Sequence, residues 1–150
     1  TLVLARCCQL NGSGHVYSLD NGQAFKQATD AMLTRFQLHD YATVFHTPLV
    51  DTRIGKETFR WYLIEDLPVD DIDMLVIDGP PGYIQRQSRF PAIPVLGDRL
   101  SEQAVIFLDD AARDDEQVIV QRWRSENGYQ GEVMNTERGV AMLWQPAHSH

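Results

Sequence analysis

Four aspartates stand where apolar runs end, and that placement is where the sequence suggests chemistry. Asp78 follows DMLVI at 73–77 and precedes Gly79-Pro80-Pro81-Gly82. A carboxylate at the end of a buried strand is costly unless it is paired, solvated or bound to a ligand. The Gly-Pro-Pro-Gly turn stiffens the loop and lets a ligand approach the backbone. Turn chemistry accounts for the glycines and prolines, but less readily for the aspartate. Asp109 and Asp110 close a second run, AVIFL at 104–108. With Asp78 they make a set of carboxylates suited to a hard divalent cation such as Mg²⁺ or Ca²⁺. The competing reading has Asp110 capping the next helix and Asp109 paired with Arg113. Arg89 and Arg113 either orient an anionic or hydroxylated ligand or pair with these aspartates.

Asp20 ends HVYSLD at 15–20. An acid at that point of a nucleotide-binding α/β fold accepts hydrogen bonds from ribose hydroxyls. Asp20-Asn21-Gly22 serves equally as a turn or helix cap. Trp61-Tyr62 reads as core or as the wall of a ligand site, Cys7-Cys8 as packing on a first helix, and His46 as structural.

These acids need a scaffold that presents strand ends side by side, and the hydrophobic pattern predicts one. Strands are expected at 15–20, 43–50 (broken near Pro48), 73–77 and 104–108. After Asn21-Gly22 a helix carries Phe25, Ala28, Met32 and Phe36 on one face. The run at 73–77 suits a strand covered on both faces, as in parallel sheets. A helix is expected from about Pro91 to Glu102, since proline is tolerated in a first turn. Another runs from Arg113 to Glu126, with Asp114, Asp115 and Glu116 in its first turn and Arg122 and Arg124 late, as the helix dipole favours. Asn127-Gly128 stops it. Residues 130–145 read as a hairpin turning near Glu137–Gly139. The polar stretch 51–71 has no clear assignment, and 146–150 is expected to fray. The sum is an α/β fold, Rossmann-like and doubly wound, with a mostly parallel sheet and a C-terminal antiparallel hairpin. Ligands of such sheets bind beyond the carboxyl ends of the strands.

Composition narrows the function. Lys and Arg number 13 against 21 Asp and Glu, a net charge of −8, which argues against a phosphate-tracking nucleic-acid binder. Two adjacent cysteines offer neither a disulfide framework nor CxxC zinc spacing. No apolar run approaches the roughly 18 residues of a membrane span, and no signal-peptide pattern opens the chain. A cytoplasmic protein without membrane or nucleic-acid partners is expected, with a homodimer left open. Thr1 begins at once in an apolar, helix-favouring pattern, which reads as the inside of a longer protein.

VYSLD at 16–20, PLV at 48–50, WY at 61–62, LVIDGPPG at 75–82, SRFPAIPVL at 88–96 and FLDDAAR at 107–113 together resemble class I S-adenosylmethionine (SAM)-dependent methyltransferases. The likeness runs from Thr1 to about Trp144, and its most specific part is IDGPPG followed one βα unit later by LDDAAR. Thr1-Leu2 resembles the residues just after the family's glycine-rich loop. The resemblance therefore implies a single domain over 1–150 whose first strand and glycine loop lie ahead of Thr1. It also implies SAM as cofactor, held by Asp20, Asn21, Thr47, Leu49, Asp78 and Gly79. Asp20 would serve the ribose, Thr47 and Leu49 the adenine edge, and Asp78 the region of the transferred methyl. Asp78, Asp109 and Asp110 are then the expected catalytic acids and metal ligands, as in the catechol O-methyltransferase-like branch. The acceptor is expected to be a small-molecule or sugar hydroxyl. Two other readings remain: a non-catalytic Rossmann-like ligand-binding or interaction domain, and a nicotinamide-dependent oxidoreductase. The terminal hairpin and the IDGPPG…LDDAAR pair count against the second.

Overall fold

The computed structural model describes residues 1–147; of the end expected to fray, 148–150 lie outside the described residues. In chain order the elements are α1 (Leu2–Asn11), β1 (Val16–Asp20), α2 (Gln23–Arg35), β2 (Ala42–His46), β3 (Leu49–Ile54), β4 (Glu57–Tyr62), β5 (Ile72–Ile77), α3 (Ala92–Leu96), β6 (Leu100–Asp109), α4 (Asp114–Asn127), β7 (Gln130–Met134) and β8 (Val140–Trp144). They form two compact units, one of residues 1–50 with 62–67, the other of 51–61 and the chain from 68 onward.

In the first unit β1 and β2 pair in parallel, from Val16 opposite Ala42 to Asp20 opposite His46. Ala5, Leu33, Leu38, Ala42 and Val44 make its core, with Leu2, Val16 and Tyr41 packed against them. The apolar face that the sequence marks on α2 points elsewhere, with Phe25 72%, Met32 45% and Phe36 43% exposed. Leu33 is the anchor instead, its carbonyl accepting the Leu38 amide at 2.8 Å just past the helix end. Neighbouring residues lie about 100° apart around a helix, so burying Leu33 carries the Met32 stripe off the core.

The second unit is built on a four-stranded sheet in the order β5-β6-β8-β7. β5 and β6 are parallel, with Ile77 opposite Leu108, and β8 runs antiparallel to both β6 and β7. Ile106, Leu108, Ile119, Trp123 and Leu143 are fully buried; each such side chain contributes about 1.5–3 kcal/mol. The terminal hairpin is as expected, but the strands do not make one mostly parallel sheet. Among the described residues they fall into three sheets, the others being β1-β2 and β3-β4, and parallel pairing is seen in β1-β2 and β5-β6. For β3 and β4 the connection decides. A parallel pair needs a crossover of a dozen or more residues, whereas β3 and β4 are joined by the turn Gly55-Lys56 alone.

Two expectations about the elements need correcting. The helix after Pro91 is five residues long, and a 3₁₀ turn at Gly97–Arg99 ends it. Leu100 is taken by the sheet instead, opposite Ile72. β5 is not covered on both faces, since Met74 and Val76 are 50% and 49% exposed. Among the described residues no helix is long and apolar enough to cross a membrane.

Candidate active site

The parallel register that sets Ile77 beside Leu108 puts the next residues, Asp78 and Asp109, side by side at the strand ends. The chain then turns through a left-handed conformation at Asp110, φ 56°, a region that Asp tolerates better than most side chains. That turn takes the Asp110 side chain inward, 6% exposed against 76% for Asp78. One carboxylate oxygen from each of Asp78, Asp109 and Asp110 lies within 4.8 Å of the other two. Unit charges 4 Å apart interact by about 4 kcal/mol at an effective dielectric near 20, so this cluster demands compensation.

Arginines supply part of it. Arg89, with a side chain 4% exposed, approaches Asp110 Oδ2 at 3.4 Å, Glu116 Oε1 at 3.5 Å and Asp78 Oδ1 at 3.6 Å. Arg113 reaches Asp110 Oδ2 at 3.0 Å. The competing sequence reading is thereby revised: Arg113 pairs with Asp110 rather than Asp109, and α4 begins after Arg113 without a side-chain cap. Asp110 Oδ1 is buried without a hydrogen bond, with Arg138 Nη1 4.0 Å away. Loss of water raises the pKa of Asp78; Arg89 pulls it down, while Asp109 and Asp110 push it up. Glu116, buried in the first turn of α4, is likewise raised by burial against the pull of Arg89.

Asp78, Arg89, Asp110, Arg113 and Glu116 line an open cleft of about 710 Å³, together with Tyr83 and Arg86. The loop carrying Tyr83 is tied down on one side of its tip. Ser88 Oγ donates to the Pro80 carbonyl at 3.1 Å, the Gln87 amide to Asp115 Oδ2 at 3.1 Å, and Trp123 Nε1 to the Phe90 carbonyl at 2.9 Å. Tyr83 itself is 88% exposed. Sequence reasoning missed Glu116, Tyr83 and Arg86 as parts of the site. Glu116 could be read only as a charge favouring the helix dipole, and nothing in the spacing of Tyr83 or Arg86 marks them.

The first unit holds the other expected residues. Asp20 Oδ1 accepts the Gly22 amide at 2.8 Å, and the Thr47 amide donates to the Asp20 carbonyl at 2.8 Å. A Cβ on Gly22 would lie 2.7 Å from the Phe25 ring and 3.3 Å from Asp20 Oδ1, so a larger residue there would have to displace the exposed Phe25 side chain. Asp20 and buried Thr47 are therefore together, Asn21 is exposed and Leu49 half-buried. Gly79, half-buried, stays with Asp78 in the second unit. Trp61 and Tyr62 are buried, as core residues are. His46 is exposed, as is Cys7, with Cys8 half-buried. Cys7 is thus not the packing residue expected; Ala5 is the buried position of α1, and a residue two places on faces away.

Parallel strand pairs with intervening helices and acids at the strand ends make an α/β fold of the Rossmann-like kind. The family follows from sequence: a family model described as "Methyltransferase domain" matches residues 1–111, and the chain belongs to that family. No curated protein matches the chain in sequence. Its fold is similar to that of a methyltransferase from Geobacter sulfurreducens, with TM-score 0.62, 16% identity, and coverage of 89% of this chain and 59% of that one. It is also similar to a candidate caffeoyl-CoA O-methyltransferase from Staphylococcus aureus, at 0.61 and 14%, covering 88% and 65%. The SAH-bound methyltransferase PaMTH1 of Podospora anserina gives 0.61 and 10%, covering 88% and 61%. The chain thus spans about three-fifths of the length of these structures.

Proposed function

We propose that this chain is part of a SAM-dependent methyltransferase acting on a hydroxyl of a small molecule or sugar. The convergence of Asp78, Asp109 and Asp110 in a chain of the methyltransferase family carries the reading. Asp20 is the residue assigned to the cofactor's ribose. Its Oδ1 is fixed by the Gly22 amide, and its Oδ2 has no hydrogen bond among the described residues. That arrangement fits a hydroxylated ligand. Thr47, held on the Asp20 carbonyl, and Leu49 are assigned to the adenine edge, with Asn21 and Gly79 as backbone contacts.

Methyl transfer from a sulfonium is an in-line displacement, so alignment and exclusion of water are the protein's main contributions. A hydroxyl acceptor must also lose its proton. Asp78, exposed and with a raised pKa, is the group placed to take it. Asp78, Asp109 and Asp110 also fit a hard cation, because a buried oxygen of Asp110 without a hydrogen bond accompanies two carboxyls without cations of their own beyond the shared Arg89. These three residues would hold Mg²⁺ or Ca²⁺, which when bound lowers the pKa of an acceptor hydroxyl.

The test uses the intact protein, SAM and a panel of hydroxylated acceptors, with SAH formation as the readout. Asp20→Ala is expected to weaken SAM binding in calorimetry by about tenfold to a hundredfold, the loss of charge-assisted hydrogen bonds worth roughly 1.5–3 kcal/mol. Asp78→Asn should abolish turnover while SAM still binds. Wild-type SAM affinity in a folded Asp20→Ala would show that the ribose assignment is misplaced. Binding of a nicotinamide dinucleotide in preference to SAM would overturn the function.

A further inference from the structure

Arg89 does more at this site than offset charge. Its Nη1 donates to the Asp109 carbonyl at 2.9 Å and its Nη2 to the Asp78 carbonyl at 2.7 Å. Those two oxygens belong to the adjacent ends of β5 and β6. The same guanidinium reaches Asp110 Oδ2 and Glu116 Oε1, so it spans two strand ends, the loop after β6 and the start of α4. Burying it has a cost, since Nε lies buried without a partner. A lysine would bring the same charge without the planar fork that two carbonyls and two carboxylates require. Asp110 shows the consequence most clearly. Arg89 and Arg113 both address its Oδ2, and Oδ1 is buried without a hydrogen bond, 4.0 Å from Arg138.

We propose that Arg89 is the positioning residue of the acidic cluster: its guanidinium fixes the two strand ends against each other and holds the Asp110 carboxylate in place beside those of Asp78 and Asp109. It acts through those residues and is not itself a group that meets the acceptor. Partners that orient metal-binding side chains are commonly worth 10- to 100-fold in affinity. The proposal rests on the cation site assigned above, and its test separates the two.

Mn²⁺ alone, titrated into the intact protein and followed by electron paramagnetic resonance, reports the site without turnover. Arg89→Lys should stay folded by circular dichroism and bind Mn²⁺ about 10- to 100-fold more weakly. Arg122→Lys is the control for a merely structural arginine. Arg122 stacks on Phe90 at 3.6 Å and pairs with Glu57 and Glu126, and its loss should leave Mn²⁺ affinity within about threefold of wild type, well short of the orienting effect. A folded Arg89→Lys that binds Mn²⁺ as tightly as wild type overturns the proposal and leaves the cation site standing. Equal losses from Arg89→Lys and Arg122→Lys overturn it too. A wild-type protein that takes up no Mn²⁺ overturns the cation site and the proposal with it. Should Arg89→Lys fail to fold, Arg89→Gln, which keeps a planar donor without the full fork, takes its place, and unchanged Mn²⁺ affinity in that folded variant overturns the proposal.

Discussion

Glu116 shows how burial and charge compete within one side chain. It sits in the first turn of a helix and beside Arg89, two settings that favour the carboxylate, yet burial wins and its pKa lies above the ordinary 4.5. Between those two values the native state holds a proton that the unfolded chain has released. Stability from this group is therefore fully present at low pH and declines as pH rises through that window. Each unit of separation is worth about 1.4 kcal/mol. Glu116→Gln does not titrate, so the difference in Tm, variant minus wild type, should grow as pH is raised from about 4 toward neutrality. Thermal melts at several pH values measure it. A difference that shrinks with rising pH would mean that Arg89 outweighs desolvation. Asp110 makes the complementary point: its left-handed backbone is tolerated because Arg89 and Arg113 hold the carboxylate in place.

Among the elements, the terminal hairpin has a role that the pattern of its residues does not announce. Its turn accepts the amides that follow Asp110, Ala111 onto the Gly139 carbonyl at 3.0 Å and Ala112 onto that of Arg138 at 3.0 Å. Gly139 has φ 72°, and a Cβ there would lie 2.6 Å from the Ala112 nitrogen. Gly128, the left-handed cap of α4 at φ 74°, would meet nothing within 4 Å. Both Gly→Ala changes incur the left-handed penalty of roughly 1–2 kcal/mol. Gly139→Ala must also push backbone aside, so in urea denaturation it should cost at least about 1 kcal/mol more than Gly128→Ala. Equal losses would mean that the hairpin turn does not brace the Asp110 loop. The hairpin was legible from Asn127-Gly128 and the apolar runs around Glu137–Gly139. β3 and β4 were not, although Phe59 and Trp61 are buried while Thr58 and Arg60 are exposed, a period-2 signal beside the Gly55-Lys56 turn. Charged residues on the outward face masked it. The start of β6 hid in the same way behind Ser101, Glu102 and Gln103. The acids themselves were legible because a carboxylate after an apolar run stands out. What they bind to was not, because Arg89 and Glu116 reach them across the fold.

At the scale of the molecule, the question is what an acidic protein of this family accepts as substrate. A fold shared at 10–16% identity with several methyltransferases does not fix the acceptor. Charge narrows it. The chain carries 13 basic against 21 acidic residues, net −8, and a local basic patch would be needed to track phosphates despite that total. The arginines around the cleft do not form one. Arg86 pairs with Asp115, Arg89 with Asp78, Asp110 and Glu116, and Arg113 with Asp110. Farther out, Arg60 pairs with Asp51 and Arg122 with Glu57 and Glu126. A polyanion approaching the cleft would have to displace these carboxylates before releasing any counterion of its own, so little electrostatic gain toward nucleic acid is expected at this cleft. Fluorescence anisotropy with a labelled single-stranded RNA and with a DNA duplex, at near-physiological salt, should show no binding in the micromolar range. Repeating it at lower salt should change little, because few phosphates are neutralised. Micromolar binding whose logarithm falls steeply with the logarithm of salt concentration would place a nucleic acid, rather than a small hydroxylated molecule, at the acceptor side of the site.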